Sequence, residues 1–185
     1  VKILAVYRNE RGNQLAEFGP ALWVFFIVVL FPLFNLCQFV CGVATVALIA
    51  AQSAQAMASS PDFNSGLTAG RAAATSLAAS GFGKFAHLTP VSPYGVQFYI
   101  DTTNVNTNAQ TATGPDTPLS TAIDTTNNLY QIEARCQYNV GPMLPMQNIV
   151  LLADIPLIGK AAQLSFSNQK AAEFPNGLST LNTSP

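Results

Sequence analysis

Glu17 is the residue most open to chemistry in this chain: a lone carboxylate at the mouth of an apolar run, residues 18–34, with Arg11 and Gly12 just ahead of it. A charge carried into lipid costs about 2.5 kcal/mol or more on insertion scales, so a carboxylate placed here needs a reason. Other reactive side chains are sparse. His87 is the single histidine and reads as a helix-end or loop residue. Cys37, Cys41 and Cys136 form no Cys-x-x-Cys pair, and no glycine-rich phosphate loop follows a strand. Gly81-Phe82-Gly83-Lys84 lacks the four-residue spacer, and the Ser or Thr after the lysine, that a phosphate loop uses. Several serines could serve as nucleophiles, but no base stands out beside any of them. The sequence predicts a non-enzyme with no catalytic residue, no cofactor and no metal site.

The element that must position Glu17 is a long apolar helix. From residue 15 to residue 51 nearly every side chain is apolar, small, or a lone Asn, Gln or Thr. At about 1.5 Å per residue such a helix is longer than a bilayer is thick, so it must tilt or protrude. Its first half is bulky and lipid-like, whereas residues 42–58 are rich in Ala, Ser and Gln, which marks where lipid gives way to protein contact or water. Pro20 is tolerated in a first turn, but Pro32 removes a mid-run backbone hydrogen bond and predicts a kink near Val28 or Val29. Asn35 and Gln38 follow. Amides inside lipid tend to bond across helices, so Pro32, Asn35 and Gln38 are the expected stem-packing residues. Cys37 and Cys41, four apart on one face, read as small packing groups.

Ser59-Ser60-Pro61-Asp62 breaks the helix, and residues 67–80 read as a second, Ala-rich helix with Leu67, Ala74 and Leu77 on one side, ended by Gly81 and Gly83. The period then changes to two. Val96, Phe98 and Ile100 alternate with polar neighbours, as do Tyr130, Ile132, Ala134, Cys136, Tyr138 and Val140, and again Ala162, Leu164 and Phe166. Cys136 reads as a core residue, with bridging to a partner chain as the alternative. The strands need a cover on their apolar face, and the Ala-rich helix is the available one. Residues 102–128 form a long Thr/Asn-rich connection in which Asp101-Thr102-Thr103-Asn104 recurs as Asp124-Thr125-Thr126-Asn127. Asx-turn chemistry explains the repeat; a cation-binding or adhesive surface is the other reading. Residues 143–158 are strongly apolar but broken by prolines, which suits a buried strand with turns or a patch lying on membrane or a partner.

Composition narrows the class. Only 9% of the 185 residues are charged, against about a quarter in soluble domains, and 49% are hydrophobic. The expected partners are membrane lipid and other membrane-protein subunits, met through the stem and the apolar segment 143–158. A net charge of -1 offers no basic face for nucleic acid, and no small-molecule site stands out. Lys2, Arg8 and Arg11 precede the stem, and no further Lys or Arg occurs until Arg71, which predicts a cytoplasmic N-terminus with everything after the stem outside.

Gly12 followed by Asn13-Gln14-Leu15-Ala16, then Glu17-Phe18 and a hydrophobic stem, resembles the processing site of type IV prepilins. With Arg11-Gly12 before the site it is most similar to the TadE/TadF-like pilus-assembly pseudopilins. The likeness is strongest over residues 11–55 and weaker over residues 138–145 and 155–166. It implies cleavage after Gly12, a new terminus at Asn13, and a Glu17 that neutralises the N-terminal amine of a neighbouring subunit; Gly12, Asn13, Glu17 and Phe18 are thus the processing-motif candidates. An ordinary signal-anchor helix with Glu17 in the headgroup region is the plain reading of the same residues. The stem departs from the family in carrying Trp23 and many phenylalanines rather than Leu-rich segments.

The expected fold is α+β: a single N-terminal transmembrane helix extending into a small extracytoplasmic head, with an antiparallel sheet of about three to four strands packed on an Ala-rich helix. Residues 1–14 form a cytoplasmic leader-like segment, 15–58 the transmembrane helix and its extension, 59–175 the head and 176–185 a polar tail. Two functions fit: a structural or assembly protein of a pilus or secretion-type machine in a bacterial inner membrane, or an uncleaved single-pass accessory subunit of a large respiratory or photosynthetic complex.

Overall fold

A computed structural model describes the backbone of residues 10–144 and 154–181, with side chains from residue 18 onward. The fold is α+β, built on one long N-terminal helix. Helix α1 (Glu10–Phe25) passes through a five-residue π-turn, Phe26–Leu30, into α2 (Phe31–Ala58). The Phe31 N–H donates to the Phe26 carbonyl, five residues back, immediately before Pro32. Proline has no N–H and its ring crowds the carbonyl four residues back, so a widened turn keeps the chain helical there. The disturbance expected near Val28 and Val29 takes this form.

Ala58 is followed by a Ser59–Pro61 break, and α3 (Phe63–Ala78) starts at Asp62, whose side chain accepts from the Ser65 N–H at 2.9 Å. That N-cap starts the helix four residues earlier than its apolar spacing predicts. Gly81 and Gly83 do more than end it. They open a short helix α4 (Gly81–Phe85), capped by the Ser80 side chain.

The sheet is antiparallel: β1 (Leu88–Pro90), β2 (Val96–Asn104), β3 (Gln110–Thr113), β4 (Asn128–Val140) and β5 (Ala162–Ala171). The thirteen-residue β4 is its axis. β5 lies on one edge of β4, while β1 and β2 share the other, pairing with Tyr138–Val140 and Asn128–Cys136 of β4 in turn. A turn at Ser92–Gly95 separates β1 from β2, and Gly95 takes φ +69 with Tyr138 against it, so a side chain at 95 would strike that ring. Residues 102–128, expected as one long loop, instead contain the end of β2 and all of β3. Asx turns do occur at its ends. Asn104 accepts from the N–H groups of Asn106 and Thr107, and Asp124 from those of Thr126 and Asn127, whereas Asp101 lies within β2.

The apolar face of the sheet carries Val96, Phe98, Ile100, Tyr130, Ile132, Ala134, Cys136 and Tyr138, all buried. Its cover differs from the expected one. The C-terminal half of α2 lies against β4 and β5 and places Val46, Ile49, Ala50, Ala54 and Met57 in the core. α3 packs mainly on α2 and reaches the sheet where Gly70 meets the Phe98 ring. The Ala-rich helix is too thin and too polar to seal three strands, whereas α2 offers branched and sulfur side chains worth about 1.5–3 kcal/mol each when buried. A second correction concerns residues 176–185: Leu178 and Ser179 are buried, and Leu119 bridges to Ser179, so the chain expected as a tail is part of the head at least that far.

Candidate functional site

The candidate site is the stem and its seat on the head. Residues 18–29 are exposed on every side, including Phe18, Leu22, Trp23, Phe25, Phe26 and Ile27. A helix with a core to face keeps one side covered; this one is bare and apolar all round. From Phe18 to Ala58 the helix runs 41 residues and is long and apolar enough to cross a membrane.

At residue 35 the environment changes. Asn35, Gln38, Gly42, Thr45, Val46, Ile49, Ser53 and Met57 form a buried stripe at spacings of three and four, one face of the helix, while Leu36, Val40 and Leu48 stay exposed. Apart from Thr45 and Ser53 the upper stripe is apolar and enters the core. The lower end is made of two amides and a glycine.

Asn35 Nδ2 donates to the Leu144 carbonyl at 3.3 Å, and the Leu144 N–H donates to Asn35 Oδ1 at 3.1 Å. The amide expected to bond across to another helix is thus taken by the chain's own head. Gln38 is fully buried, and neither Nε2 nor Oε1 has a hydrogen-bond partner. At Gly42 the backbone meets Val140: a Cβ there would lie 2.7 Å from Val140 Cγ2 and 3.4 Å from Ala86 Cβ. The glycine lets β4 and the end of α4 close onto the stem.

Gly12, Asn13 and Glu17 lie in α1, and their side chains fall outside the described residues; Phe18 is exposed. Of the segment 143–158, residues 145–153 likewise fall outside. Cys136 is buried in the core, where burial pushes its thiol up to about 12, while Cys37 is exposed and Cys41 half-buried.

Two polar clusters decorate the head. On the outward face of the sheet Glu133 accepts from Arg135 Nε and Nη2 at 2.8 and 2.6 Å, and the guanidinium lies 4.0 Å from the Tyr99 ring centre. Asp101, bonded to Gln169 at 2.9 Å, shares this recess of about 320 Å³; burial, then the charge of Glu133, raises its carboxyl. On the other side Arg71 pairs with Asp116 at 2.9 Å and stacks over Tyr94, while Asp116 accepts from the Phe98 N–H at 3.0 Å. Within these two clusters Glu133, Asp101 and Asp116 are each engaged by a neighbour. Both clusters read as ties: the first braces β2, β4 and β5, the second fastens α3 to β2. Among the described residues no three His, Cys, Asp or Glu side chains gather to hold a metal.

Asn35 and Gln38 were legible as polar residues in an apolar run, and the 3–4 spacing of small and polar residues from Asn35 to Ser53 is the signal that marks the head-facing side. The comparisons give no further guide: no family model matches the chain, and no curated protein or solved structure matches it.

Proposed function

We propose that this protein is a membrane-anchored structural or assembly component of a pilus or secretion-type machine, of the TadE-like kind that its N-terminal motif resembles. One observation carries the anchoring: a single continuous helix is bare and apolar at residues 18–29 and becomes the core of a folded head from Val46 onward. In lipid the first part holds the chain, and the second transmits the position of the stem rigidly to the head. The basic residues ahead of the stem support a cytoplasmic N-terminus in a bacterial inner membrane, with the head periplasmic or extracellular. Gly12 and Glu17 supply the processing site and the carboxylate that such assembly uses.

A second reading, an uncleaved accessory subunit of a large membrane complex, is favoured by the bulky aromatic surface of residues 18–34 and by the π-turn before Pro32. That surface suits packing among unlike helices better than regular stacking of identical stems. Intact mass and N-terminal sequencing of the chain from native membranes, with its co-purifying proteins identified, decide between them. A terminus at Asn13 with pilus or secretion components supports the first reading; a retained leader with stoichiometric subunits of another membrane complex overturns it in favour of the second.

A further inference from the structure

The head has two unlike ends, and the stem provides a ruler for both. β4 runs antiparallel to α2: Tyr130 sits near Ala58, where Ala172 donates to Tyr130 and Glu173 to Ala58, and Val140 sits beside Gly42. The end near Ala58 carries the polar turns at Asn104–Asn108 and Asp124–Asn128. The end near Gly42 carries α4, the start of β1, Met143, Leu144 and the turn from Ile155 to Lys160, since Ala162 pairs with Val140. Phe82, Phe85, Met143 and Ile155 are all exposed at this lower end, Phe82 by 70%. Lys84 stands exposed between the two phenylalanines and has no ion-pair partner among the described residues.

A hydrocarbon core of about 30 Å takes up about 20 residues of helix, so a bilayer entered at Phe18 ends near residue 38. Leu144, bonded to Asn35, then lies at the edge of the hydrocarbon. Ala86, beside Gly42, lies about 6 Å above it, in the headgroup layer. Phe82 and Phe85 precede Ala86 at that level. Aromatic rings and snorkelling lysines are the side chains that this layer favours.

We infer that Phe82, Phe85, Met143 and Ile155, with Lys84 among them, form a ledge that rests on the lipid surface and seats the base of the head in the bilayer interface. This rests on the membrane-anchored reading. The occupant is lipid and not a second protein, because the ledge stands at the height where the stem, exposed and apolar on every side at residues 18–29, reaches the end of the bilayer. The ledge and the Asn35–Leu144 tie together fix the depth of the stem and stop the head from swinging on it.

Trp23 is the single tryptophan, so depth can be read by fluorescence. The full chain is reconstituted in phosphatidylcholine vesicles brominated near the headgroup end of the acyl chains. It is compared with chains carrying Trp23→Phe together with Phe82→Trp, Met143→Trp or Val105→Trp. Phe82, Met143 and Val105 are exposed, so the replacements leave the core intact. The expected result is loss of emission at Trp23, Phe82→Trp and Met143→Trp, with Val105→Trp keeping the emission it has in unbrominated vesicles. Loss at Trp23 without loss at Phe82→Trp and Met143→Trp overturns the ledge and leaves the anchor standing. Equal loss at Val105→Trp also overturns the ledge, and no loss at Trp23 overturns the anchored reading itself.

Discussion

Asn35 and Leu144, 109 residues apart, hydrogen-bond to each other in both directions, amide to backbone at 3.3 and 3.1 Å. One side chain thereby satisfies both backbone groups of a loop residue beside an apolar helix, where water is scarce. Asn35→Leu leaves the Leu144 N–H and carbonyl unpaired and should cost about 1–3 kcal/mol. The measurement is amide hydrogen exchange in detergent: residues 141–144 should exchange faster while the centre of β4 stays protected. Unchanged exchange at Leu144 would show that the tie bears no weight.

Gln38 is the opposite case, a buried amide without a partner on either atom. Burying such a group costs about 1–3 kcal/mol, so Gln38→Met, which keeps its length and removes its polarity, should leave stability unchanged or raise it by up to that amount. Thermal unfolding of the reconstituted chain measures this. A clear loss of stability would mean that the amide is bonded in the assembled protein.

Gly70 lies on α3 where the helix presses on the Phe98 ring, with the Ser53 carbonyl 3.1 Å from where a Cβ would sit. Phe98 is fully buried and the carbonyl belongs to a helix, so neither can move far. Gly70→Val should destabilise the head by about 1–3 kcal/mol or more through overpacking. Gly81→Ala meets nothing within 4 Å and should change stability far less, which makes it the control in denaturant melts.

Burial pushes the Cys136 thiol and the Tyr138 phenol each up to about 12, from ordinary values of 9.0 and 10.0. Both groups are held neutral in the fold, so their contribution is fully present below pH 9.0 and is lost as pH rises towards about 12. Each group can remove at most about 1.4 kcal/mol per pH unit across that window. Stability should therefore be flat on this account through neutral pH and fall above it, and Cys136→Ala should flatten the alkaline decline. Cys136 should also resist maleimide until the head unfolds. Labelling of Cys136 in the folded protein at neutral pH would contradict its burial.

Much of the fold was legible because its periods are clean. β4 alternates from Tyr130 to Val140, and the long helix is unmistakable from Phe18 onward. The cover of the sheet was not legible, because apolar residues of α2 such as Val46 and Ile49 look the same in sequence whether they face lipid or a sheet. Only the polar and small members of the stripe, Asn35, Gln38, Gly42 and Ser53, betray the side that faces protein. β3 was hidden for a different reason: Gln110–Thr113 has no apolar face, and pairing with β2 through its backbone makes it a strand. Leu178 and Ser179 were hidden by their short polar surroundings, since a single leucine in a polar stretch gives no periodic signal.

Glu17 remains the sharpest test of what the stem does. A carboxylate at the head of an apolar helix costs about 2.5 kcal/mol or more if it enters lipid alone, and an ion pair with a neighbouring subunit's amine would offset part of that. In a pseudopilin-like assembly, Glu17→Ala should leave the monomer inserted and folded but strongly reduce its incorporation into the assembled structure. Glu17→Asp, which keeps the charge, should retain part of it. In a plain anchor the two variants should behave alike, because a headgroup-level carboxylate has no fixed partner. Gly12 separates the steps: Gly12→Leu should block processing while leaving the stem able to insert. Fractionation of membranes followed by sizing of the complexes reads all three variants together, and normal incorporation of both the Gly12 and the Glu17 variants would sink the pilin-type mechanism.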